Sequence, residues 1–154
     1  MGESIEIKID DKELQQVLDK LFEKTSDLRP LMKNIAGVMA DSVEENFKQG
    51  GRPEKWEKLK EVTINQRTKK GYWPGKILQM RGELAASITT AYDESSAIIG
   101  TNKEYAAIHQ FGGKAGRGKK VEIPARPYLN LGEKELNSIL KTALDYLSNV
   151  TRIY

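Results

Sequence analysis

Seven residues of this chain have the types and order of a phosphate cradle. Gly113-Lys-Ala-Gly-Arg-Gly-Lys119 matches the first seven positions of G-x-x-x-x-G-K-[ST], in which backbone amides and a lysine hold nucleotide phosphates. The eighth position must carry a hydroxyl for magnesium, and here it is Lys120, which cannot ligate a cation. A phosphate loop also opens a helix, so that the anion meets the helix N-terminus. This one leads instead into Val121-Glu-Ile-Pro124, a strand-like run. The residues therefore argue against nucleotide binding. His109 is the only histidine, and its neighbours Ala106, Ala107, Ile108, Gln110 and Phe111 supply neither carboxylate nor nucleophile. No serine sits in a G-x-S-x-G elbow, and Glu44-Glu45 and Asp93-Glu94 are adjacent pairs, which point apart on a helix or flank a turn. With no cysteine, thiolate zinc sites, iron–sulfur clusters and disulfides are excluded. The expectation is a chain with no catalytic residues, no cofactor and no metal.

What remains chemically conspicuous is cationic. The net charge of +3 conceals a segregation: residues 1–50 hold 7 basic and 11 acidic side chains, residues 51–81 hold 9 and 3, and residues 114–126 hold 5 and 1. The first basic segment contains Lys55, Trp56, Lys58 and Lys60, and the second contains Lys114, Arg117, Lys119, Lys120 and Arg126. Such segments suit solvated loops, a nucleic-acid surface or the acidic face of a neighbouring subunit. A tryptophan amid charge has the composition of an interface anchor. Arg126, between Ala125 and Pro127, is expected to pair with a carboxylate or with backbone carbonyls, its approach stiffened by Pro124 and Pro127.

The elements that position these residues are legible in part. A length of 154 residues suits one domain. No run is long and apolar enough to span a bilayer, and the acidic start, Met1-Gly-Glu-Ser-Ile-Glu6, is unlike a signal peptide. Ile5, Ile7 and Ile9 alternate as in a half-buried strand. Asp10 with Glu13 has the spacing of a capping box, opening a helix with Leu14, Val17, Leu18, Leu21 and Phe22 on one face. Asp27 caps a second helix, striped by Leu28, Met32, Ile35, Met39, Val43 and Phe47 and stopped at Gly50-Gly51. Residues 50–82 read as a long excursion with one short helix over 59–70. From residue 83 the pattern turns to β, with a hairpin of 86–92 and 96–100 about Asp93-Glu-Ser95. A short helix over 105–111 precedes a glycine- and lysine-rich loop, 112–120, and a strand at 121–123. Asn130 with Glu133 opens a last helix bearing Leu136, Ile139, Leu140, Ala143, Leu144 and Leu147. Helices, then strands, then a helix predict an α+β fold: a small antiparallel sheet packed by about three amphipathic helices, with long basic loops.

The second half also carries an ordered string of blocks: Trp56, then Gly82-Glu-Leu84-x-x-Ser87, then Tyr105-Ala-x-Ile-His109-Gln-Phe111-Gly112-Gly113, then Ile123-Pro124-Ala-Arg126-Pro127-Tyr-Leu129. In order and spacing this string resembles the phage virion morphogenesis (tail completion) family of Mu-like and related contractile-tailed phages and prophages. The resemblance runs from about Trp56 to Leu129, and the motif residues Gly82, Leu84, Tyr105, His109, Phe111, Gly112, Gly113, Pro124 and Pro127 are expected to be structural.

The resemblance implies a non-enzymatic assembly protein at the head-proximal end of the tail, made in the bacterial host cytoplasm and retained in the virion tail. It implies a homo-oligomeric ring whose partners are tail-tube and head–tail connector proteins, with no membrane. In a ring, one patch meets a different patch on the next copy, and the acidic 1–50 and basic 51–81 segments have the complementary charge. Lys55, Trp56, Lys58, Lys60 and Arg126 are the expected contacts between subunits or with partners. The loop bearing Lys114, Arg117, Lys119 and Lys120 is expected either to order against a tail or neck protein or to line a lumen in transient, non-specific contact with DNA. The alternative from another class is a small non-specific nucleic-acid-binding protein using segments 51–81 and 114–126. Against it, the aromatics are not interleaved with the cations as a stacking platform requires.

Overall fold

A computed structural model describes residues 11–25 and 27–153, without the side chains of the last two. The expected strand at 4–9 and the cap at Asp10 lie outside the described residues. The order of elements is α1 (Lys12–Lys24), α2 (Arg29–Gln49), α3 (Glu61–Lys69), α4 (Glu83–Ala86), β1 (Thr89–Tyr92), β2 (Ala97–Gly100), α5 (Ala106–Phe111), β3 (Gly113–Ala115), β4 (Val121–Ile123) and α6 (Glu133–Ile153), with a 3-10 turn at Arg117–Lys119 before β4. The fold is α+β, and among the described residues the β structure is two separate two-stranded sheets, β1–β2 and β3–β4. Among the described residues, no helix is long and apolar enough to cross a membrane.

The chain forms two compact units. One contains Thr89–Ile99 with the described parts of 6–42 and 131–154. Its core follows the helical stripes. Leu14, Val17 and Leu21 of α1 are buried with Leu31, Met32, Ile35 and Met39 of α2 and with Ile139 and Ala143 of α6. Each large apolar side chain removed from water here contributes about 1.5–3 kcal/mol. Asp11 caps α1: its carboxylate accepts from the backbone N–H of Leu14 at 2.9 Å. Asp27 accepts from the N–H of Arg29 at 3.0 Å as α2 begins. In the β1–β2 turn, Asp93 accepts from the N–H groups of Ser95 and Ser96, and these bonds hold its carboxyl below the usual carboxylate range. Leu144, assigned by periodicity to the apolar face of α6, is 44% exposed.

The other unit contains Val43–Ile88 and Gly100–Asn130. Chain reversal after α2 depends on Gly51, at φ +107°, where an added Cβ would stand 2.7 Å from the Glu54 carbonyl and the Trp56 ring. Three expectations are corrected here. Residues 83–86 are helical, so the β pattern begins only at Thr89. Residues 113–120 are not a loop. Gly113, Lys114 and Ala115 pair antiparallel with Ile123, Glu122 and Val121, making a hairpin. Asn130 is not the cap of α6, which starts from Gly132; its side chain instead donates to the Arg52 carbonyl at 3.0 Å and meets Asn46.

Candidate functional site

Two of the motif blocks form one hydrogen-bonded body. Helix α5 lies against residues 125–129 through both backbone and side chains. The carbonyl of His109 accepts from the N–H of Arg126 at 2.8 Å. Gln110 Oε1 accepts from the N–H of Tyr128 at 3.0 Å and of Leu129 at 2.9 Å. The Tyr128 hydroxyl donates to the Ala106 carbonyl at 2.8 Å, and burial pushes its pKa up to about 12. From α2, Asn46 Nδ2 donates to the Tyr128 carbonyl at 2.8 Å. The approach is close enough to require Gly112: at φ +74°, an added Cβ would lie 2.8 Å from the Ala125 nitrogen and 3.0 Å from the Ile123 carbonyl.

Trp56 belongs to the same body. It is 6% exposed, stands edge-on to Phe47 at 5.8 Å and donates from Nε1 to the Pro127 carbonyl at 2.9 Å. Trp56, expected as a subunit contact, is thus packed among its own subunit's residues, with its polar tip satisfied locally. Leu84 is likewise buried. The Ser87 hydroxyl donates to the Leu84 carbonyl and lies 2.6 Å from the Thr101 hydroxyl, tying the Gly82–Ser87 block to Gly100-Thr101. Not all the motif residues are inside: Phe111 is 60% exposed and Tyr105 40%, and Gly113 and Pro127 are exposed as well.

Beside this body opens a cleft of about 440 Å³. Its apolar wall includes Leu59, Leu78, Met80, Leu84, Val121 and Ile123. Its cationic residues are Lys58, Lys60, Arg67, Arg81 and Arg126, its acids Glu57, Glu83 and Glu122, and Gly82, Tyr105, His109 and Pro124 complete the motif residues lining it. Two of the cations are held inside the protein. Arg126, 7% exposed, donates from Nε to the Glu57 carbonyl at 2.9 Å and from Nη2 to the Lys58 carbonyl at 3.3 Å. Arg67, 8% exposed, donates from Nη1 to the Lys76 carbonyl at 2.8 Å. Of the two partners expected for Arg126, carboxylate or carbonyl, the structure shows carbonyls.

The electrostatics follow from burial. Desolvation lowers the pKa of both arginines; at Arg126 the charge of Glu57 opposes that shift, and the smaller repulsion from Arg67 adds to it. His109 is lowered from 6.5, chiefly by desolvation and then by the charge of Arg126. Its Nδ1 is buried with no hydrogen-bond partner, and the Tyr105 ring stands edge-on to it at 5.9 Å. Among the described residues there is no group of three or more His, Cys, Asp or Glu that could hold a metal.

The remaining expected residues are dispersed. Lys58 and Lys60 are exposed and line the cleft, whereas Lys55 is exposed away from it and donates from Nζ to the Gln49 carbonyl. Lys114, Arg117, Lys119 and Lys120 are all exposed on the β3–β4 hairpin. Pro127 supplies a carbonyl to Trp56, and Gly113 opens β3. Sequence reasoning missed Arg67, Arg81 and the bridging amides Asn46 and Gln110. Gln110 lay within a recognised block, which was its only signal. Arg67 had none, since α3 has little apolar periodicity.

Comparison with known proteins gives a consistent picture. The family model for the phage virion morphogenesis family matches residues 9–148. A Haemophilus influenzae protein named Mu-like prophage FluMu G protein 2 is 48% identical over 143 residues, covering 92% of this chain and 95% of its own. The putative capsid assembly protein G of Escherichia phage Mu is 36% identical over 143 residues, 88% of this chain and 91% of its own. Mu-like prophage FluMu G protein 1 of Haemophilus influenzae is 36% identical over 151 residues, 94% and 97% of the two chains. No solved structure matches.

Proposed function

The chain belongs to the phage virion morphogenesis family, and from that premise we propose that it is a non-enzymatic assembly protein acting at the head-proximal end of the tail, in tail completion and head–tail joining, as a ring of identical subunits. The observation that carries the reading is the family match across residues 9–148, which includes every block described above. The relative from phage Mu is named as a putative capsid assembly protein, which supports a role in building the particle. The host cytoplasm is the compartment of assembly, the virion tail is the destination, and the neighbours are tail-tube and connector proteins.

Charge supports the ring. Lys55, Lys58 and Lys60 are exposed, and residues 1–50 carry an excess of acid; such complementarity steers heterologous contacts more than it adds affinity. The exposed cations of the β3–β4 hairpin dock on an adjacent tail or neck protein. The test is electron microscopy of an induced lysate in which this reading frame is disrupted. Separate heads beside unjoined or abnormal-length tails are expected, and intact infectious particles would overturn the reading. Reversing Lys55, Lys58 and Lys60 together to glutamate is expected to weaken self-association or tail attachment, and unchanged assembly would remove the charge-steered ring. Salt-dependent binding to non-specific DNA, lost on neutralising Lys114, Arg117, Lys119 and Lys120, would instead favour the nucleic-acid reading.

A further inference from the structure

The cleft holds an imbalance that folding alone does not explain. Arg67 and Arg126 are both more than nine-tenths buried and both line it; the charge of Glu57 reaches Arg126, but neither arginine makes a direct ion pair with a carboxylate among the described residues. Buried charges are normally paired, because removing an ion from water costs several kcal/mol. Here Arg67 uses one donor and Arg126 two, all on backbone carbonyls, although each guanidinium carries five N–H groups. The carbonyls fix both planar groups in place, which is the preorganisation that bidentate recognition of an oxyanion needs.

The surroundings decide which anion. Leu59, Leu78, Met80 and Ile123 give the cleft an apolar wall, which a phosphodiester backbone does not match. Glu57, Glu83 and Glu122 also line it; they would repel a polyanion laid across it, whereas a single carboxylate meets a lining in which five cations outnumber these three acids. A volume of about 440 Å³ takes a few side chains rather than a folded domain. Strand β4 runs along the cleft and, among the described residues, is paired only with β3, so an extended segment has a strand to lie beside.

We propose that this cleft seats one Asp or Glu side chain, borne on an extended and otherwise apolar segment of a partner protein, with the carboxylate held between Arg67 and Arg126. The proposal names the partner chemistry of the assembly reading and rests on it for the ligand being a protein. Lys58 and Lys60, exposed at the cleft, add attraction at longer range.

His109 provides the readout. It lines the same cleft and is the only histidine, so its ring resonances are unambiguous. Two blocked peptides, acetyl-Val-Leu-Glu-Val-Leu-amide and its Gln counterpart, bury the same surface and differ by one charge. The Glu peptide is expected to bind about tenfold or more tightly. It should raise the NMR titration midpoint of His109 by offsetting the field of Arg126, which the Gln peptide should not do. In Arg67→Gln the Glu preference should fall to about threefold or less. Equal affinities of the two peptides for the wild-type protein, or no binding of either, would overturn the proposal whether or not the variant folds. A twelve-base-pair DNA duplex that moved His109 more than the Glu peptide, in wild type but not in Arg67→Gln, would give the cleft to phosphate and overturn it also. Intact particles from the disrupted gene would end the assembly reading while leaving the peptide result standing, so the two failures are distinguishable.

Discussion

Gln110 offers the sharpest test of how the site is built. Its Oε1 is the acceptor for two consecutive backbone N–H groups, those of Tyr128 and Leu129, and the residue is 6% exposed. Replacing it by methionine keeps roughly the same volume and removes the acceptor. Each buried N–H left without a partner costs about 1–3 kcal/mol, so Gln110→Met, which strands two of them, is expected to destabilise by about 2–6 kcal/mol. Gln110→Ala adds a cavity and should cost about 1 kcal/mol more. Against a total stability of about 5–15 kcal/mol, either loss is large.

The assay is urea denaturation of wild type and both variants, with amide hydrogen exchange at Tyr128 and Leu129 as the local readout. Exchange at those two amides should quicken more than in α1, whose core is built from other residues. A Gln110→Met variant within 0.5 kcal/mol of wild type, with both amides still protected, would refute the reasoning. It would mean that the two N–H groups have another acceptor and that α5 does not brace residues 126–129 through this side chain.

Gly112→Ala should destabilise by about 2–5 kcal/mol, because the left-handed backbone costs about 1–2 kcal/mol and the new Cβ meets backbone atoms of Ala125 and Ile123 that cannot easily move; a urea midpoint close to that of wild type would contradict the close approach. Stability should also depend on pH through His109. Burial and Arg126 hold its folded pKa below 6.5, so the unfolded chain takes up the proton first. Its contribution is therefore full above about pH 6.5 and is lost as pH falls through that value toward the lowered one, with a slope of up to about 1.4 kcal/mol per pH unit. Urea midpoints at pH 7.5, 6 and 5 should fall more steeply in wild type than in His109→Gln, and parallel profiles would count against the buried neutral imidazole.

Local physics wrote the long helices and the first hairpin plainly into the sequence. The α1 and α2 stripes recur at helical spacing, and nearly all of those residues are buried. Asp93-Glu-Ser95 turns the chain between β1 and β2 as its side-chain chemistry requires. What was not legible depends on partners distant in the chain. Gly113-Lys-Ala115 has poor strand propensity and becomes β3 only through its register with β4. Asn130 sits where a helix cap would be expected, yet Asn46 and Arg52 recruit it. Trp56 was read for its charged neighbours in sequence, while its neighbours in space are Phe47 and the Pro127 carbonyl. The cleft was illegible for the same reason, since no local pattern announces that Arg67 and Arg126 converge.

The residues that identify the family and those that form the cleft are mechanically one object. His109 and Gln110 hold the backbone of 126–129, Trp56 ties the start of the basic segment to Pro127, and Arg126 in turn ties Glu57 and Lys58 back to that segment. Every one of these links ends on a backbone carbonyl or N–H, so each depends on the chain path, and all but the backbone bond of His109 also on side-chain length, rather than on a neighbouring side chain. That arrangement leaves both guanidinium groups without a direct bond to a carboxylate, although the charge of Glu57 acts on Arg126. A structural arginine could have been hydrogen-bonded directly to the carboxylate of Glu57, Glu83 or Glu122, all of which line the same cleft, at the usual gain for a charge-assisted bond. Bracing by carbonyls gives nearly the same rigidity and keeps the charge available. A scaffold whose only task was to hold its own shape would have no use for that difference, whereas a subunit that must accept a partner's carboxylate does.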